Sequence, residues 1–210
     1  MFVKICGITN LDDARAAVDA GADALGFNFW RPGRRYMAPE RVAEIAAALP
    51  VYVWRVGVFV DEEPREILRV AGEVGLTAVQ FHGSEAPLVL EAIGGFTKLK
   101  AFRIDEQFRP DALASYRADA FLLDGAGAAP GGNGVAFDWE RAIAAKPYGR
   151  IVLAGGLTPE NVGEAVRRVR PWGVDVASGV ESGPGRKDPG KMERFVRAAR
   201  GAAAATEPRT

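Results

Sequence analysis

The sequence predicts one (β/α)8 TIM barrel with phosphate-binding loops after its seventh and eighth strands. Eight short runs rich in β-branched and apolar residues alternate with segments of helical spacing along the 210 residues. Such alternation implies parallel strands, because each crossover returns the chain to the same end of the sheet, and eight units can close on themselves. The length suits a single core, with a catalytic barrel over 1–200 and a frayed, Ala-rich tail over 201–210.

Residues 2–6 read as the first strand and 11–20 as its helix, with Asn10 as the cap. The second unit joins a strand over 23–29 to a helix over 39–49 that has Pro39 in its first turn. The third joins 52–60 to 64–74, which begins at Pro64. Strands over 78–82 and 98–102 precede helices over 86–93 and 110–116. The sixth strand, 120–124, runs into a glycine-rich stretch over 125–136, too irregular for an element and a candidate lid, before a helix over 139–145 capped by Asp138. The seventh strand, 151–154, leads to a helix over 159–169 with Thr158 as cap, and the eighth, 174–178, to one over 191–200. A doubly wound open sheet is the alternative, but no Gly-x-Gly-x-x-Gly follows the first strand, where a dinucleotide fold would need it.

Lysine plus arginine (27) equals aspartate plus glutamate (27), so the net charge gives no reason to expect nucleic acid or an anionic membrane as partner. Any anion site must be local, as for a small-molecule substrate. No stretch approaches the ~20 apolar residues of a membrane span. A lone cysteine forms neither an internal disulfide nor a multi-cysteine metal site, and no signal-type segment follows Met1, so a cytoplasmic setting is expected. His82, the one histidine, has no companion ligands, which argues against a metal. No exposed apolar stripe fixes the assembly, and a homodimer is compatible with the sequence.

In such a barrel the reactive groups stand where strands end. The first strand ends in Cys6, the fourth carries Gln80 and ends in His82, the sixth ends in Asp124, and the eighth ends in Ser178 beside Gly179. With a period of two, Cys6 shares a face with Lys4, and Asp124 with Leu122, so both can point into the mouth. A free cysteine is most often a small buried apolar group, whereas a thiolate at the mouth near arginines can act as a general base. Asp124 can cap the next turn or serve as the acid. Strand-end placement favours chemistry for both. Ala154-Gly155-Gly156-Leu157 and Ser178-Gly179-Val180 each fit a tight turn, but together, on consecutive units, they point to a phosphate held by bare backbone N–H groups. Arg34 and Arg35 form either a solvated basic loop or a clamp for a substrate carboxylate. Lys4, Arg55 and Asp175 lie mid-strand and are expected to pair inside the barrel.

Lys4-Ile5-Cys6-Gly7-Ile8-Thr9, Gly21-Ala22-Asp23-Ala24-Leu25-Gly26-Phe27, Arg55-Val56-Gly57-Val58-Phe59-Val60, Val79-Gln80-Phe81-His82-Gly83, Leu122-Leu123-Asp124 and Ser178-Gly179-Val180-Glu181 run in this order along nearly the whole chain. Together they resemble the phosphoribosylanthranilate isomerase family. The resemblance implies an intramolecular oxidoreductase, an aldose-ketose isomerase of tryptophan biosynthesis that performs an Amadori rearrangement with no cofactor and no metal. Its substrate would be N-(5-phosphoribosyl)anthranilate and its product 1-(2-carboxyphenylamino)-1-deoxyribulose 5-phosphate.

The resemblance also implies residue roles. Asp124 would protonate the ribose ring oxygen, and Cys6, as thiolate, would remove the proton from the adjacent sugar carbon. Arg35 would hold the anthranilate carboxylate in preference to Arg34. Gly156, Ser178 and Gly179 would lie at the phosphate, with Gln80 and His82 also at the substrate. Two positions depart from the family pattern: Ala177 stands where a second serine is common, and Asn133 where a small hydroxyl residue is common. A histidine-pathway isomerase would need paired aspartates where Cys6 stands. A non-catalytic sugar-phosphate binder would have no use for an acid facing a base, and an indole-forming lyase would need a lysine nearer the mouth than Lys4.

Overall fold

The computed structural model describes residues 1–125 and 139–206. β1 (Phe2–Cys6), β2 (Ala24–Asn28), β3 (Trp54–Phe59), β4 (Ala78–Phe81), β5 (Thr97–Ile104), β6 (Ala120–Gly125), β7 (Ile151–Ala154) and β8 (Gly173–Val176) close into a parallel barrel. β1 pairs with β2 on one side and β8 on the other, so no strand of the barrel has an open edge. The helices are α1 (Leu11–Asp19), α2 (Pro39–Ala47), α3 (Pro64–Val74), α4 (Pro87–Glu91), α5 (Trp139–Ala145), α6 (Val162–Val169) and α7 (Pro189–Thr206). They cover the outside, and none of the described helices is long and apolar enough to cross a membrane. The predicted barrel is therefore the observed one.

Strand alternation divides the core in two. Ile5, Leu25, Phe27, Phe81, Phe121, Leu123 and Val174 face outward and pack under the helices with Val42, Ile67, Val166 and Phe195. The inward set is smaller: Ala24, Val56, Ala78, Leu99, Ala101, Ala120, Leu122, Val152 and Ala154. At the N-terminal end of the strands Phe2 stacks on Trp172, with ring centroids 4.5 Å apart, and tilts against Trp54 at 5.2 Å. This aromatic plug closes the floor. Above it, the small side chains leave room for Lys4, whose Nζ donates to Asp175 Oδ1 at 2.9 Å across the β1–β8 pairing, with neither residue exposed.

Arg55 does not join that pair. Register sets it opposite Leu25, an outward-facing residue, so the guanidinium leaves the barrel and its Nε donates to the Gly75 carbonyl at 2.8 Å. The expected three-residue cluster is a two-residue pair.

Several boundaries also move. Residues 110–116, expected as a helix, form a 3-10 segment over Pro110–Ser115, and β5 extends to Ile104. α6 begins at Val162 rather than 159, since the Asn161 side chain is turned back to the β7 loop. The tail expected from Gly201 continues α7 to Thr206, with Ala202 buried, because its alanines sustain helix and pack on the neighbouring face. β8 stops at Val176, and Ser178 opens a 3-10 turn. A short hairpin then follows, β9 (Glu181–Gly183) with β10 (Arg186–Lys187), around the Gly-Pro-Gly of 183–185. The candidate lid and the Asp138 cap fall at 126–138, outside the described residues.

Replacing Lys4 with Met leaves Asp175 buried without its cation and should cost about 3–5 kcal/mol of stability in urea denaturation. A loss below about 1 kcal/mol would mean that water reaches the pair.

Candidate active site

The C-terminal ends of the strands surround a cleft of about 830 Å³. Its walls include Cys6, Arg35, Gln80, His82, Asp124, Gly156, Ser178 and Gly179, so the structure gathers every predicted site residue except Arg34 into one concavity. β1 and β6 are separated by only β7 and β8 on one side of the barrel, and Cys6 and Asp124 both line the mouth.

Cys6 ends β1 opposite Gly26 of β2. A Cβ on residue 26 would stand 2.7 Å from Cys6 Sγ and 3.1 Å from Lys4 Nζ, so the missing side chain is what gives thiol and ammonium their shared space. Burial pushes the Cys6 thiol above its ordinary range, and Asp175 adds to that; Lys4, by charge and hydrogen bond, and Lys187 pull the other way without overcoming it. Lys4 is itself raised: burial lowers it, but the charges and hydrogen bonds of Asp175 and Cys6 outweigh that. The thiol is therefore held as a neutral acid beside a firmly charged ammonium.

Asp124 ends β6 next to His82, whose Nε2 lies 3.5 Å from Asp124 Oδ2. Gln80 Nε2 approaches His82 Nδ1 at 2.7 Å, and with Gln80 donating there a neutral ring carries its proton on Nε2, toward the carboxylate. Gln80 Oε1 is buried and has no hydrogen-bond partner among the described residues. Gly155, at φ +80°, lets the β7 loop pass directly against Asp124, since a Cβ there would overlap Asp124 Oδ1 and the Gly125 backbone.

The loops after β7 and β8 touch each other. A Cβ on Gly179 would overlap the Leu157 carbonyl, so only glycine lets the two backbones meet. Asn161 braces the first of them: its Oδ1 accepts from Thr158 N–H at 2.8 Å and its Nδ2 donates to the Gly156 carbonyl at 2.9 Å. Ala177, which has no side-chain hydroxyl, contributes its carbonyl, which accepts from Lys187 Nζ at 3.0 Å.

Arg35 comes from the β2 loop, its side chain lying over Gly7 where any Cβ would collide with Cδ. Its Nε and Nη2 donate to the two carboxylate oxygens of Glu181 at 2.6 and 2.8 Å. On the far wall Glu85 joins the loops after β3 and β4: it accepts from the N–H groups of Asp61 and Gly83 and from Lys100 Nζ at 2.7 Å. Burial pushes the Glu85 carboxyl up, but Lys100 and the Asp61 N–H hold it below the usual range. That grip keeps Asp61 at φ +50°, an unusual backbone for a residue other than glycine. Glu181, Lys187, Glu85 and Lys100, which bond to residues of the cleft wall or its loops without lining it, were not foreseen. All are buried charges paired across loops, and sequence spacing carries no sign of such pairs.

A family model described as N-(5'phosphoribosyl)anthranilate (PRA) isomerase matches residues 3–198. An N-(5'-phosphoribosyl)anthranilate isomerase of Geobacter sp. (strain M21) is 52% identical over 198 residues, covering 92% of this chain and 95% of that protein. A crystal structure of a phosphoribosyl anthranilate isomerase in complex with reduced 1-(o-carboxyphenylamino)-1-deoxyribulose 5-phosphate superposes with a TM-score of 0.87 at 42% identity, covering 96% of this chain and 99% of that one. A structure of monomers generated from the dimeric enzyme of Thermotoga maritima gives 0.86 at 42% identity, with the same coverage.

Because the chain contains one cysteine, its alkylation by iodoacetamide reports Cys6 alone. With the thiol raised, the rate should keep climbing as pH rises past about 9. A plateau near neutral pH would contradict this picture.

Proposed function

The chain belongs to the N-(5'-phosphoribosyl)anthranilate isomerase family, and we propose that Cys6 is its general base and Asp124 its general acid. The reaction is the isomerisation of N-(5'-phosphoribosyl)anthranilate in tryptophan biosynthesis. One observation carries the assignment of roles: a thiol and a carboxylate from β1 and β6 line a single cleft together with a guanidinium and two glycine-backed loops. The substrate has two anionic ends, a carboxylate and a phosphate, and that asymmetry fixes how it lies.

With the phosphate against Gly156, Ser178 and Gly179 and the carboxylate on Arg35, the ribose spans the mouth between Cys6 and Asp124. Asp124 donates a proton to the ring oxygen as the bond from that oxygen to the anomeric carbon breaks, and the nitrogen lone pair forms the iminium. The iminium withdraws electrons from the neighbouring C–H, and Cys6 takes its proton. The electron pair of that bond moves in to form the enolamine, which relaxes to the aminoketone. The proton given to the ring oxygen and the proton taken from carbon are each assigned to a side chain of this chain, and neither transfer calls for a metal or cofactor.

The raised thiol suits this order. A protonated Cys6 gives up its proton to water before it acts, and the positive charge of the iminium lowers the cost of the thiolate that then takes the C–H proton. His82 holds Asp124 toward the mouth. Gln80 Oε1, buried and without a partner among the described residues, offers an acceptor to a sugar hydroxyl. A cytoplasmic setting is part of the same proposal and rests on the lone cysteine. So is a homodimer, carried over from the dimeric T. maritima relative.

Cys6→Ser and Asp124→Asn should each lower kcat by about a thousandfold or more while competition by inorganic phosphate is kept, read from the loss of substrate fluorescence. Near-normal turnover in either variant would remove that residue from its role. Arg35→Ala should act mainly on KM, and an unchanged KM would move the carboxylate clamp elsewhere. Light scattering at the mass of one 22.4 kDa chain would oppose the dimer.

A further inference from the structure

Glu181 lies in the last of the family-like motifs, yet the reaction as written gives it nothing to do. Its side chain is 8% exposed, against 28% for Arg35. It is also gripped from other directions. Lys187 Nζ donates to Oε1 at 3.1 Å, and Lys191 Nζ donates to the Glu181 backbone carbonyl at 2.7 Å. The hairpin that carries it is tied to α1 and the loop before it: Lys187 N–H donates to Asp13 Oδ2 at 2.8 Å and Thr9 Oγ1 donates to the Gly185 carbonyl. Burial pushes the Glu181 carboxyl up, but the hydrogen bonds and charges of Arg35 and Lys187 hold it below the usual range. A fixed, ionised carboxylate thus meets a more exposed guanidinium.

The geometry decides which part of that guanidinium is left for a ligand. Glu181 takes the edge formed by Nε and Nη2. The remaining fork, one hydrogen each on Nη1 and Nη2, is the edge suited to a second carboxylate with two parallel bonds. The Arg35 methylenes lie over Gly7, the residue that follows Cys6, and both Arg35 and Cys6 line the cleft. We propose that Glu181 is a positioning residue for substrate recognition: by occupying the Nε edge it turns the Nη1–Nη2 end of Arg35 to the aromatic carboxylate. In that way it sets where the anthranilate nitrogen, and the carbon next to the anomeric centre, stand relative to the thiol. The inference rests on the reading of Arg35 as the carboxylate clamp.

Glu181→Gln tests it, because the amide turns an N–H against one prong of the guanidinium and spoils the two-bond fit. KM for phosphoribosylanthranilate should rise about tenfold with kcat within about twofold. Two competing ligands should keep wild-type inhibition constants: inorganic phosphate, and N-(5-phosphoribosyl)aniline, which lacks the carboxylate. In an Arg35→Ala background the same substitution should have no further effect on KM. An unchanged KM in Glu181→Gln, with KM raised in Arg35→Ala, overturns the role of Glu181 and leaves the clamp standing. An unchanged KM in Arg35→Ala removes the clamp and this inference with it. Weakening of the carboxylate-free ligand to the same degree would show a general loss of structure and also overturn the role. Should Glu181→Gln fail to bind phosphate, Glu181→Asp carries the same test, since it keeps the charge beside Lys187 and only shortens the reach to Arg35.

Discussion

A lysine on β1 and an aspartate on β8 point into a closed barrel from which water is largely excluded, so each is viable there only because the other is present. The rest of the mouth depends on that pairing. Two residues along the same strand, Cys6 inherits a neighbouring cation that is held in place from below. The inward side chains around the pair are alanine, glycine and valine for the most part, and the floor is sealed by Phe2, Trp54 and Trp172. Small residues above and large ones below are what allow an ion pair to stand at mid-height with a cleft over it.

The same economy of volume recurs at the rim. Gly7, Gly26, Gly155 and Gly179 each stand where a Cβ would overlap a functional group: the Arg35 stem, the Cys6 thiol, the Asp124 carboxylate and the Leu157 carbonyl. These glycines lie on β2 and in the loops after β1, β7 and β8. They turn a ring of separate loops into one surface that Cys6, Arg35, Asp124, Gly156 and Ser178 share. Paired carboxylates and cations then lock neighbouring loops: Glu181 with Arg35 and Lys187 on one wall, Glu85 with Lys100 on the other.

Much of this was legible in the sequence because it is local. Strand and helix periodicity gave eight units, and strand ends gave Cys6, His82 and Asp124 their places. Proline signals were sound at α2 and α3, where Pro39 and Pro64 open the helices. They failed at α6, because Asn161 is occupied in bracing the β7 loop instead of capping from Thr158. Arg55 was misplaced for a related reason: a mid-strand charge says nothing of which face it takes until the register against Leu25 is known. Glu181 and Glu85 stayed hidden because their partners, Arg35 and Lys100, are brought near only by the closed barrel, 146 and 15 residues away.

Burial raises the proton affinity of the thiol, and the buried cation beneath it holds that rise in check. Since Cys6 is the only cysteine, a 13C label at cysteine Cβ gives one resonance, which can be followed against pH by NMR in the wild-type chain and in Lys4→Met. The midpoint should lie above the ordinary thiol range in the wild type and be displaced further upward when Lys4 is lost, because burial and Asp175 are then opposed by Lys187 alone. A midpoint that is the same in both chains would contradict it.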